Sequence, residues 1–73
     1  MQVISRRLRA ELKLGAEREY RIAQKAGVNP STLSKLLNSI LALKPNDERI
    51  VAIGRVLGLR PEDCFERLSN GKP

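Results

Sequence analysis

The sequence predicts an all-α fold, a compact bundle of about five short helices. Two observations carry that expectation. Apolar residues recur at the three- and four-residue spacings of amphipathic helices along most of the chain, each run bounded by Gly, Pro or Asn. One stretch, Gly27-Val28-Asn29-Pro30-Ser31-Thr32-Leu33-Ser34-Lys35-Leu36-Leu37-Asn38, combines a sharp turn with the start of a helix. With 73 residues the chain makes one domain, expected over 1–68 with a frayed tail at 69–73. A core of that size is only marginally self-sufficient, so helix packing or self-association must help it.

In order, Val3 to Lys13 reads as a first helix, with Ile4, Leu8 and Leu12 on one face and Arg6, Arg7, Arg9 and Lys13 elsewhere; the arginines read first as a solvated basic face, with contact of one or two to phosphate as the alternative. Gly15 stops the helix. A second helix spans about Glu17 to Ala26; Ile22, Ala23, Ala26 and Val28 form its apolar side, and Tyr20 is expected to be partly buried. Gly27 suits the left-handed turn that ends it. Asn29 caps a third helix, and Pro30 fits its first position, where a missing N–H costs nothing. Leu33, Leu36, Leu37, Ile40, Leu41 and Leu43 share its apolar half, while Ser31, Lys35, Asn38 and Ala42 line the other, so this helix is expected to run from Pro30 to about Leu43. Lys44-Pro45-Asn46 breaks it. Asn46 or Asp47 then caps a fourth helix with Ile50, Ile53 and Leu57 inward and Gly58 at its close; Gly54 either allows tight packing or weakens it. Pro61 opens a fifth helix with Glu62 and Asp63 in its first turn, where negative charge suits the dipole, and with Cys64, Phe65 and Leu68 facing inward or toward a partner.

Two helices meeting at the tight Gly27 turn make a helix-turn-helix over about 19–38. Here the residues resemble the phage-repressor-like (Cro and repressor type) regulators, through Ile22-Ala23, Gly27-Val28, Leu33-Ser34 and Leu36, and through Leu57-Gly58-Leu59, Pro61-Glu62-Asp63 and Phe65 further on. The resemblance covers most of Ile4 to Phe65 and implies a lambda-repressor-like domain that binds duplex DNA as a transcriptional regulator. It matches Pro30, Ser31 and Lys35 to base-reading positions and Asn38 to a phosphate-holding one. The sequence departs from the family in two places. Ser39-Ile40 stands where the family has a Gly, and Glu19 stands where it commonly has a Gln near the DNA backbone.

Charge agrees with a polyanionic partner. The chain carries +6 with a pI near 10.3, and residues 1–38 hold eight Lys/Arg against three Asp/Glu, which is +5 of that total. Only Tyr20 and Phe65 are aromatic, too few for the stacking platform of single-strand binders, so double-stranded DNA is expected. The candidate DNA-binding residues are Pro30, Ser31, Ser34, Lys35 and Asn38 toward the major groove, with Arg18, Arg21 and Lys44 toward phosphate.

No His and a single Cys leave no metal cluster, no internal disulfide and no nucleophile–base pair. The carboxylate pairs Asp47/Glu48 and Glu62/Asp63 are explained by helix N-termini, so neither catalysis, a cofactor nor a small-molecule substrate is expected. Without a membrane span or signal segment, the expected location is the cytoplasm. A homodimer is expected, through Ile40-Leu41-Leu43 or Phe65-Leu68. A second reading stays open, a helical protein-interaction module, such as an antitoxin or phage-encoded factor, that docks through Ile40-Leu41-Leu43 on a partner protein.

Overall fold

In the computed structural model, which describes residues 2–67, a short antiparallel ribbon ties the two ends of the chain together beside four helices. The elements run β1 (Gln2–Ile4), α1 (Arg6–Leu14), α2 (Glu19–Ala26), α3 (Pro30–Leu37), α4 (Glu48–Val56), a 3-10 turn (Pro61–Asp63) and β2 (Phe65–Arg67). The fold is mostly helical and compact, but the all-α expectation is corrected by the ribbon, in which Gln2 pairs with Arg67 and Ile4 with Phe65.

The same pairing corrects two helices. The first starts at Arg6 and not at Val3, because Val3 and Ile4 are held extended against β2. Ser5 then caps α1: its buried hydroxyl accepts from the Leu8 N–H at 3.1 Å and donates to the Asp63 carbonyl at 2.6 Å, while its own N–H reaches the Cys64 carbonyl at 2.9 Å. The fifth helix shrinks to a single 3-10 turn, since Phe65–Arg67 is spent on the ribbon. Glu66 of β2 accepts the Arg6 N–H at 2.8 Å, placing a carboxylate at the start of α1. Leu68 and the expected tail at 69–73 lie outside the described residues.

The core gathers Ile4, Leu8, Leu12, Ile22, Ala23, Val28, Leu33, Leu36, Ile50, Ile53, Leu59 and Cys64. The second helix begins at Glu19, two residues later than expected, and α2 packs on both α3 and α4. Gly54 has its answer here: a Cβ at that position would collide with the Cys64 sulfur, so the glycine serves close approach. Tyr20, expected to be partly buried, is 50% exposed.

Three helices close by one hydrogen-bond pattern, in which a left-handed residue is followed by an N–H that reaches five residues back. Gly27 and Gly58 supply the left-handed residue for α2 and α4, and Val28 and Leu59 donate to Ala23 and Gly54 at 2.9 and 2.7 Å. For α3 the left-handed residue is Ser39, at φ 61°, and the Ile40 N–H reaches the Lys35 carbonyl at 2.8 Å. The third helix therefore ends at Leu37, not at about Leu43. Ser39 bears a Cβ in a region that disfavours one, so Ser39→Gly is expected to stabilise the fold by about 1 kcal/mol, read as a higher midpoint in urea. An unchanged or lower midpoint would show that α3 does not close this way.

Asp47, and not Asn46, caps α4. Its carboxylate is 2% exposed and accepts from the Arg49 and Lys44 N–H groups at 3.0 Å each and from the Arg49 guanidinium at 2.9 and 2.6 Å. Asn46 instead turns left-handed and trades hydrogen bonds with Gln2 of β1. The Arg49 guanidinium, helped by the two N–H donors, pulls the Asp47 carboxyl down to about 2. Because the folded value lies below that of the unfolded chain, Asp47 contributes fully above the ordinary carboxylate range. That contribution, about 2 kcal/mol, is lost as pH falls from about 4 through 2. Unfolding free energies measured down this range should drop for the wild type and stay flatter for Asp47→Asn.

Candidate nucleic-acid interface

Local chemistry fixes where α3 begins. The Asn29 side chain accepts the Ser31 N–H at 2.8 Å, and Pro30 occupies the first position. The turn from α2 takes only Gly27, Val28 and Asn29; Val28 is buried, which anchors the turn to the core. Leu33 and Leu36 point inward at 0% and 3% exposure, so Ser31, Lys35 and Asn38 are left on the outer side, and all three are exposed. Pro30 and Ser34 are half-buried.

The expected site residues do not all behave alike. Among the described residues, Lys35 makes no ion pair and stands free. The Asn38 amide folds back, its Nδ2 donating to the Ser34 carbonyl at 2.9 Å and lying 3.4 Å from the Ser34 hydroxyl, so this donor caps its own helix. Arg18 and Arg21 are exposed at the start of α2. Arg21 shares its charge with Glu17, whose carboxyl is held below its ordinary value by the Lys25 ammonium first and by Arg21 after it. Lys44 lines a depression with Asp47 and Arg49 at the start of α4.

The groove beside α3 is instead completed from α1. Arg9, Leu12, Lys13, Glu19, Leu37 and Asn38 enclose a depression of about 320 Å³. Arg9 donates from Nη1 to the Leu37 carbonyl at 3.1 Å and so satisfies the last turn of α3. Arg9 and Lys13, expected on a solvated basic face of the first helix, border the same depression as Asn38 and are not among the eight candidate DNA-binding residues. Their four-residue spacing, which places both on one face of α1, was the available signal. Glu19 sets a carboxylate in the same groove.

The one thiol belongs to the core. Cys64 is fully buried and close enough to the Arg60 carbonyl, 3.3 Å, to donate to it; burial pushes the thiol up, away from a reactive thiolate. Among the described residues no cluster of His, Cys, Asp and Glu could hold a metal ion, and no helix is long and apolar enough to cross a membrane. Comparisons with family models, with curated proteins and with solved structures find no match to this chain.

Proposed function

We propose that the chain is a sequence-specific, double-stranded-DNA-binding transcriptional regulator, with α2, the Gly27 turn and α3 acting as a helix-turn-helix and α3 entering the major groove. The observation that carries this reading is the outer face of α3. Exposed Ser31 and Lys35, which makes no ion pair among the described residues, stand on a helix anchored by Leu33 and Leu36, in the half of the chain that holds +5 of the +6 charge. Lys35 donates to guanine N7 and O6, and Ser31 to a base or a phosphate. Arg18, Arg21 and Lys13 meet phosphate at the flank. Asn38, its amide nitrogen already engaged, contributes through its oxygen or by ordering the end of α3. The few base-edge donors leave part of the specificity to the shape of the duplex.

A gel-shift titration on random duplex at rising salt tests this. For four neutralised phosphates, affinity should fall about a hundredfold between about 50 and 200 mM salt. Binding that ignores salt, or none at low salt, would refute the proposal. Glu19 opposes the phosphate backbone in this reading, so Glu19→Gln should tighten binding on every duplex alike; weaker binding would place Glu19 away from the DNA.

A further inference from the structure

We propose, resting on the reading of α3 as the helix that enters the major groove, that Arg9 of α1 is a positioning residue that sets base preference without touching DNA. The last carbonyls of a helix have no partner within it. At the end of α3, Ser34 receives the Asn38 N–H and side-chain amide, Lys35 the Ile40 and Leu41 N–H groups, and Leu36 the Ser39 N–H. Those donors all come from the residues just past the helix. Leu37 differs: its carbonyl takes the Arg9 Nη1–H at 3.1 Å, which is, among the described residues, the one hydrogen bond between α1 and α3.

Arg9 is committed to this place. It is half-buried where Arg6 and Arg7 are exposed, and no carboxylate pairs with it among the described residues. Its side chain forms part of the wall of both depressions beside the end of α3, the apolar one with Leu36 and Leu43 and the polar one with Lys13 and Asn38. Its cation lies at the negative end of the α3 dipole. The closure it supports is weak by itself, because Ser39 holds a φ of 61° against its own Cβ where α2 and α4 use glycine. Lys35 stands in the same last turn as Leu37, so the tie that fixes Leu37 also fixes the aim of the ammonium assigned to guanine. Displaced by about 1 Å, a reading side chain loses discrimination while its charge still serves any duplex.

The test is Arg9→Met, which keeps the aliphatic stem and removes the donor, alone and combined with Ser39→Gly, which closes α3 by backbone preference instead. Two duplexes are used, one selected by the wild-type chain from a random pool and a scrambled version of it, at a temperature where circular dichroism shows every chain folded. Arg9→Met should weaken the selected duplex about tenfold, leave the scrambled one within about twofold and leave the salt slope unchanged. Without DNA, amide exchange of Ile40 and Leu41 should quicken about tenfold while that of Ile53 in α4 does not change. Adding Ser39→Gly should restore both the preference and the protection, which it has no means to do for a lost DNA contact. Should Arg9→Met fail to fold, Arg9→Gln, whose side chain ends short of the Leu37 carbonyl, serves with the same expectations. Equal losses on both duplexes with a salt slope lowered by about one would make Arg9 a phosphate contact and overturn the proposal. So would an unchanged preference, unchanged exchange at Ile40 and Leu41, or a loss that Ser39→Gly does not restore. A wild-type chain without salt-dependent duplex binding would instead remove the DNA reading itself, and the positioning role with it.

Discussion

Leu36→Ala is expected to destabilise the chain by about 2–5 kcal/mol. Leu36 is 3% exposed and, with Leu33, joins α3 to the core that contains Ile22 and Ala23 of α2. Its truncation removes transfer free energy and leaves a void in that core. A domain of this size has only about 5 kcal/mol or a little more in reserve, so much of the folded population should be lost at 37 °C. Thermal unfolding followed by circular dichroism should show a midpoint at least about 10 °C lower. An unchanged midpoint would mean that α3 is not held by its apolar face, and the outward placement of Lys35 would lose its basis.

Lys35→Ala is expected to weaken binding to the preferred duplex by about 1–3 kcal/mol and to relax preference at one base pair. The exposed ammonium lies one turn after Ser31 and nearly one turn before Asn38, in the middle of the exposed face of α3. Removing a cation that meets only phosphate has a different signature: all sequences weaken alike and the salt slope falls by about one. Arg21→Ala should behave in that way. Lys44→Ala should do less, because Lys44 lines the depression beside Asp47 and Arg49 and is not among the residues of the groove beside α3. Affinities of the three variants on a matched and a scrambled operator, at two salt concentrations, separate these cases. Equal losses on both duplexes for Lys35→Ala would make it a phosphate contact and not a reader.

The candidate site was legible to the extent that helix faces are. Spacing alone put Leu33 and Leu36 inside and Ser31 and Lys35 outside. It could not show that the Asn38 amide turns back to Ser34, that Lys44 falls beside another helix, or that Arg9 and Lys13 of α1 border the same groove, because each depends on how one element lies against another.

By itself the sequence determined where α3 starts, where α4 starts to within a residue, and where α2 and α4 stop. Asn29-Pro30 and Asp47 satisfy free N–H groups within their own first turn, and Gly27 and Gly58 adopt positive φ without a Cβ to oppose it, so these are local choices that need no distant partner. Only the tertiary structure decided the rest. Apolar spacing continued the third helix through Ile40, but in the folded chain Ser39 accepts a left-handed conformation and the last turn is satisfied by Arg9 from α1. Val3-Ile4 and Phe65-Glu66 carry helix-compatible patterns, yet become strands because each supplies the backbone partner of the other across some sixty residues, a pairing that no local window contains. Gly54 was ambiguous for the same reason: whether a missing side chain weakens a helix or admits a neighbour depends on the neighbour, and the neighbour is the sulfur of Cys64, brought there by the turn that feeds the ribbon.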